Sequence, residues 1–268
     1  MERAQASPTE RLLSLWNSRV IIAVIYGLLC HGLFAFGIGT MVVMMYFGMS
    51  RSLGTAPSPW GWWLNGALLG QFVLGHSFLL SVRGQKLLKR LAPESLGSDL
   101  STTTYALVAS IQVGLLFAFW TPSGVVLWKA TGWAQGLLTI LYLSSWLLLF
   151  KAMRDAGFAL QTGYLGWSAV VHNQRPVHPK ILDRGLFQYC RQPIYVGFSL
   201  TTWTVPTWTP DQVFIASMLT LYCLVGPRFK EKRYQAFHGD KYTTYASHVP
   251  YWLPRLPQLR KKQVVEEE

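Results

Sequence analysis

VIIAVIYGLLCHGLFAFGIGTMVVMMYFGM, residues 20–49, runs for thirty positions without one charged side chain. A helix needs about 20 apolar residues to cross the hydrocarbon layer of a bilayer, so this stretch commits the chain to a membrane. It is too long for the apolar core of a signal peptide and no small-residue cleavage site follows it, so it is expected to stay as the first span. Working outward, 60–82, 100–128 and 130–150 are also free of charge. Two shorter runs, 193–208 and 213–225, flank the polar turn TPDQ (209–212), with Pro206 and Pro210 beside it. They read as a helical hairpin, with Pro206 either in the turn or kinking the first arm. The expected fold is all-α, a polytopic membrane helical bundle of about six transmembrane helices.

Composition agrees. Of 268 residues 51% are hydrophobic and only 13% charged, against about 25% charged in an average soluble domain. The net charge of +12 raises nucleic acid as a partner, but the placement of the cations speaks otherwise. The segment before residue 20 carries three Lys/Arg, 83–90 four, 151–192 six and the region from Pro227 nine, whereas the alternate connections hold only Arg51 and Lys129. That is a positive-inside pattern, with both termini expected on the cytoplasmic side. The basic excess then sets topology and meets anionic headgroups. No nucleic-acid motif accompanies it, and the lipid bilayer is the expected partner. Cys30, Cys190 and Cys223 lie in or beside apolar runs without metal-ligand spacing, so they read as small hydrophobes and no metal site is expected.

The chain divides into residues 1–150, scaffold spans with Gly37, Gly39, Gly66 and Gly70 for close helix packing, and residues 151–268, where the chemistry concentrates. No internal repeat is visible, which disfavours an inverted-repeat transporter. Among the few polar residues of the scaffold are His31, Gln71, His76 and Gln112. An ionisable group inside a membrane is a functional candidate, and His76 is the first such candidate. The plainer alternative is a histidine bonded to a neighbouring carbonyl.

The second signal is YCRQPIYVG, 189–197. Pro193 suits the first turn of a helix, which sets Arg191 and Gln192 just before that turn, beside unpaired backbone amides and the positive end of the helix dipole. An anion there would find amide donors and a guanidinium fork. Tyr195 adds an aromatic surface and Gly197 permits close approach of another element. In the plainer reading Arg191 snorkels to a headgroup phosphate. Glu231 is the only acid between Asp211 and Asp240. If 193–208 and 213–225 form a hairpin, Arg191 and Glu231 face one another across a pocket suited to a zwitterion, carboxylate to Arg191 and ammonium to Glu231. Alternatively Glu231 pairs with its neighbours Arg228, Lys230, Lys232 and Arg233. Beyond it, Phe229, Tyr234, Phe237, Tyr242 and Tyr245 suggest a partly helical segment on the membrane face.

GLFQYCRQPIYVG (185–197), a short hairpin, then RFKEKRY (228–234) and HGDKYTTYASHVPYWLP (238–254) resemble the integral-membrane methyltransferases of the isoprenylcysteine carboxyl methyltransferase superfamily, which also includes phospholipid methyltransferases and NnrU-like proteins. Within it, the HS at 76–77 and TTWTVPTWTPDQ (201–212) are most similar to the bacterial methanethiol S-methyltransferases. The resemblance implies a helical bundle whose C-terminal segment encloses S-adenosylmethionine at the cytoplasmic face of a bacterial inner membrane. Carried over by motif position, Gly185, Leu186, Tyr189, Arg191, Gln192, Tyr195, Glu231, Tyr242 and Tyr245 form the cofactor region. Gln192 stands where the superfamily has histidine, and Lys230 where it has the first acid of a Glu pair. Glutamine donates and accepts hydrogen bonds but does not titrate. His178 is a candidate to compensate. The implied reaction moves a methyl group to a small thiol such as methanethiol, giving dimethyl sulfide. A thiol reacts as its thiolate, which calls for a base; the catalytic candidates are Arg191, Glu231, Tyr195 and His76. Alternatives are a lipid or prenylcysteine acceptor, or an NnrU-like haem-binding isomerase or non-catalytic membrane protein, with His76 and His178 as the axial pair.

Overall fold

The computed structural model describes residues 8–177 and 183–255. It is an all-helical membrane bundle. Four helices are long and apolar enough to cross a bilayer, and a bent pair raises the number to five among the described residues. Helix α1 (Pro8–Tyr46) holds the charge-free opening run. The second pass is interrupted: α2 (Trp60–Gly70) continues through a π turn at Gln71–Gly75 into the short α3 (His76–Leu79). The chain then bends by 95° into α4 (Val82–Leu91). Ser81 caps α4, its hydroxyl accepting the Gly84 amide at 3.1 Å. Arg83, Lys86, Lys89 and Arg90 stand on α4 beside exposed Val82, Leu87 and Leu91. That composition fits an interfacial amphipathic helix, where the sequence suggests a loop.

Helix α5 (Ser101–Ala118) is shorter than the charge-free run 100–128 suggests. After it, Trp120–Ser123 turns across the end of the bundle and β1 (Trp128–Lys129) pairs antiparallel with β2 (Thr207–Trp208). Helix α6 (Gly132–Asp155) returns, followed by the short α7 (Phe158–Gln161) and α8 (Tyr164–Val171). Helix α9 (Pro193–Trp203) has Pro193 in its first turn and 11 residues, ~16 Å of rise. It falls short of a full crossing by itself. Pro206 lies in the turn and its carbonyl accepts the Ala130 amide at 2.9 Å, so it ends α9 and does not kink it. Helix α10 (Pro210–His238), capped by Thr209, runs for 29 residues, well beyond the apolar stretch 213–225. Gly239, at φ +55°, turns the chain into α11 (Asp240–His248).

Small residues set the close crossings. A Cβ on Gly37 of α1 would come within 2.7 Å of the Ser110 carbonyl of α5, and one on Gly197 of α9 within 3.0 Å of the Leu149 backbone of α6. One core cluster, with Met45, Phe117, Trp120 and Ile215, fills the end near the start of α10. A second, with Ala23, Leu96 and Leu100, fills the opposite end. Between them α2–α3 and α5 are joined by polar side chains. Gln71 donates to the Gln112 carbonyl at 2.9 Å and Gln112 to the Gln71 carbonyl at 2.8 Å.

Candidate active site

The site is built where α9 begins. Arg191 donates through Nε to Glu231 Oε1 at 2.8 Å and through Nη2 to Oε2 at 3.1 Å, a two-pronged ion pair between residues 40 apart in sequence. Its Nη1 donates to the carbonyls of Ala246 and Val249 at 2.7 and 2.9 Å. Its own amide donates to the Pro250 carbonyl at 2.9 Å. One side chain thus ties the start of α9 to α10 and to the end of α11. The side chains are only 15% and 17% exposed. Burial draws the Arg191 pKa down, but the hydrogen-bonded Glu231 carboxylate outweighs it and holds the guanidinium above its usual value.

Gln192, 2% exposed, donates its amide to Glu231 Oε1 at 2.8 Å. A carboxylate only accepts, which fixes the amide orientation. Gln192 Oε1 is left buried with no partner among the described residues. A narrow cleft opens here, lined by Phe187, Arg191, Gln192, Lys230, Tyr234, Tyr242 and Tyr245. The Lys230 ammonium lies 5.9 Å from the Tyr195 ring centroid and 5.4 Å from that of Tyr234, so its charge meets aromatic faces. The Tyr245 hydroxyl donates to the Phe187 carbonyl at 2.7 Å. Burial and then the Glu231 charge push the Tyr242 phenol up; burial does the same for Tyr245, so both stay neutral donors.

The candidates divide. Arg191, Gln192, Glu231, Tyr242 and Tyr245 come together at the cleft, and Tyr195 lies one turn along α9. Gly185 and Leu186 form its support: Gly185 has φ +57°, and the Leu186 amide donates to Asp155 Oδ2 at 2.9 Å. Tyr189 is exposed; its carbonyl accepts the Arg255 amide at 3.0 Å. His76 stands apart, bonded through Nε2 to the Tyr105 hydroxyl at 2.7 Å. The Tyr105, Tyr195 and Tyr222 phenols lie close enough to interact electrostatically, and Ser77 donates to the Tyr222 hydroxyl at 3.4 Å. His178 lies outside the described residues, so its pairing with His76 is not placed. Sequence reasoning missed Asp155, Phe187, Tyr105 and Tyr251. Asp155 also pairs with Lys151 in the last turn of α6, and that i,i+4 spacing was its one visible signal. Tyr251 donates to the Leu224 carbonyl at 2.7 Å, beside the gap that Pro227 leaves in the α10 ladder.

Curated relatives bear on the family of the chain. The chain is 30% identical over 192 residues to a methanethiol S-methyltransferase of Crocosphaera subtropica, covering 70% of this chain and 72% of the relative. It is 24% identical over 252 residues to a methanethiol S-methyltransferase of a Pseudomonas species, covering 90% and 93%. It is 27% identical over 169 residues to Nurim of Xenopus laevis, covering 58% and 56%. No family model and no solved structure matches the chain.

Proposed function

The chain belongs to the methanethiol S-methyltransferase family, and from that premise we propose that it methylates methanethiol to dimethyl sulfide, with S-adenosylmethionine as donor, at the cytoplasmic face of a bacterial inner membrane. The observation that carries this reading is the knot of Arg191, Glu231 and Gln192 beside a tyrosine-lined cleft at the end of the bundle. Its residue types fit an amphoteric ligand. Gln192 Oε1 is a buried acceptor awaiting a donor, and an ammonium group supplies one. Lys230 offers a cation to a carboxylate. The ring faces of Tyr234, Tyr242 and Tyr245 offer stacking surface to a heterocycle. Arg191 and Glu231 frame this site by holding α9, α10 and α11 together.

The donor supplies an electrophilic methyl group carried on a sulfonium. The chain's part is alignment: it holds its two ligands so that nucleophile, methyl carbon and leaving sulfur fall in line, the kind of positioning that supplies much of the acceleration of such a displacement. The neutral tyrosines and a glutamine that does not titrate add no charge of their own to the cleft near neutral pH.

Protein purified into nanodiscs, given S-adenosylmethionine and methanethiol, is expected to release dimethyl sulfide into the headspace. Calorimetry should show cofactor binding that weakens at least about tenfold in Lys230→Gln and Gln192→Leu, one charge-assisted or buried hydrogen bond being worth ~1.5 kcal/mol or more. Turnover of a phospholipid or prenylcysteine with silence toward the thiol would reject the acceptor, and absence of cofactor binding would reject methyl transfer altogether.

A further inference from the structure

His76 is set up differently from His172 and His248. His172 and His248 each fold Nδ1 back onto the carbonyl four residues earlier, at 2.8 Å in both cases. That is the ordinary way for a helical histidine to satisfy itself. The His76 ring instead reaches across to α5, where Nε2 meets the Tyr105 hydroxyl at 2.7 Å. Its Nδ1 is buried and has no partner among the described residues.

The backbone explains the difference. The π turn Gln71–Gly75 ends one residue before His76. An extra residue in a turn rotates everything after it about the helix axis, and such bulges recur at functional sites. The reciprocal Gln71–Gln112 pair holds the turn against α5. Gly75 permits the approach, since a Cβ there would lie 2.5 Å from Gln112 Nε2. His76 and Tyr105 form the next rung of the same interface. Phe72, Tyr222 and Ser77 surround the ring: Phe72 stacks at 5.4 Å from His76 and 6.1 Å from Tyr222. Tyr222 lies two turns before Lys230 on α10, ~12 Å of helix rise.

We propose that His76 accepts the proton of the thiol acceptor and that Tyr105 positions it for that step; this rests on the thiol methyltransferase reading above. In this assignment Nε2–H donates to the Tyr105 oxygen, the tautomer that strands no N–H at the unpartnered Nδ1 and leaves its lone pair bare. The thiol S–H bond breaks, its proton passes to Nδ1, and the electron pair stays on sulfur. That sulfur then bonds the methyl carbon as the donor's sulfonium C–S bond breaks, its electron pair leaving with the donor sulfur. The aromatic side chains around His76, namely Phe72, Tyr105 and Tyr222, match the chemistry of a small, lipid-soluble thiol.

The test compares two thiols. His76→Gln should lose about 10²–10⁴-fold in methyl transfer to methanethiol, with cofactor affinity unchanged. The loss should shrink to less than about tenfold for an acidic aromatic thiol already ionised at the assay pH, because that acceptor no longer needs a base. Tyr105→Phe should show the same pattern at smaller size. In cofactor-free protein labelled at histidine, nitrogen NMR should show methanethiol shifting the Nδ1 resonance of His76 and no other. Equal losses for both thiols, no loss for either, loss of cofactor affinity in His76→Gln, or an unmoved Nδ1 resonance would each overturn the assignment. Wild-type protein that binds cofactor yet methylates no thiol would overturn the parent reading instead.

Discussion

A guanidinium carries five N–H donors, and Arg191 commits four of them, two to Glu231 and two to the carbonyls of Ala246 and Val249. Lysine has the charge without the fork and cannot serve four acceptors in a plane. Arg191→Lys should therefore weaken cofactor binding about tenfold or more and expose the α11 segment to protease while the protein still inserts. Breaking a buried pair costs about 3–5 kcal/mol, and the partial exposure here brings the expected figure nearer ~2 kcal/mol. Limited proteolysis and calorimetry on the purified variant check both; unaltered cleavage would show that the knot does not hold the segment. The meeting of Arg191 and Glu231 was legible in the sequence from the expected hairpin, but the two bond each other directly instead of gripping a zwitterion between them. The Ala246 and Val249 acceptors were not legible, because a backbone carbonyl has no sequence signature. The free Oε1 of Gln192 was hidden for a related reason: it depends on the amide being turned by Glu231.

At the scale of elements, the supports of the cleft matter as much as its lining. Gly185 opens the 3₁₀ turn Gly185–Gln188 at φ +57°, a conformation costing other residues about 1–2 kcal/mol. It also lies against the Asp155 carboxylate, where an added Cβ would collide. Moving that carboxylate removes its bonds to Lys151 and to the Leu186 amide. Gly124, at φ +74°, has open space around it and isolates the backbone term. Gly185→Ala is expected to lower cofactor affinity about tenfold, one extra lost hydrogen bond at ~1.4 kcal/mol, whereas Gly124→Ala should leave it unchanged. Equal behaviour of the two would mean that Asp155 is not positioning the turn. The elements themselves were partly legible. The hairpin of α9 and α10 and the N-terminal Pro193 follow from the proline pattern. The π turn and the length of α10 do not: the first needs the Gln112 contact from another helix, and the second runs through polar residues and past Pro227, which local propensity would stop.

Across the whole molecule, the two ends do different jobs. At the end where α10 starts, buried Asp211 (4% exposed) accepts the Trp120 indole at 3.0 Å, the Ser123 amide at 2.9 Å and the Ser123 hydroxyl, and Thr209 donates to the Gly48 carbonyl. With the β1–β2 pair, these bonds lock the connections opposite the cleft. Asp211→Ala strands the buried Trp120 indole N–H at about 1–3 kcal/mol and releases Ser123, so thermal unfolding in detergent should shift downward by a few degrees while cofactor affinity holds; a loss of affinity without destabilisation would contradict a purely structural clamp. This clamp also explains why the span within 100–128 ends at Ala118, short of the charge-free run: Trp120 and Ser123 leave the helix to meet an acid on α10, a tertiary partner the run itself does not reveal.

The charge asymmetry carries the last prediction. Arg51 and Lys129 belong to the clamped end, whereas Arg83, Lys86, Lys89 and Arg90 of α4, Arg191, and Arg228, Lys230, Lys232 and Arg233 of α10 stand at the cleft end. Moving that many cations through a bilayer is prohibitive, so the cleft end should face the cytoplasm. Because α9 has only 11 residues, the alternative is a re-entrant arm that leaves Lys129 where it is expected and puts Ser247 on the opposite side. Single cysteines placed at Lys129, Lys89 and Ser247, in a chain whose buried Cys30, Cys190 and Cys223 are replaced by alanine, separate these cases. A membrane-impermeant maleimide should label the Lys129 position in intact spheroplasts and the other two only after permeabilisation. Labelling of Ser247→Cys in intact cells would mean that the α9–α10 hairpin does not complete its two crossings, and the cleft would then open to the wrong compartment for a cytoplasmic methyl donor.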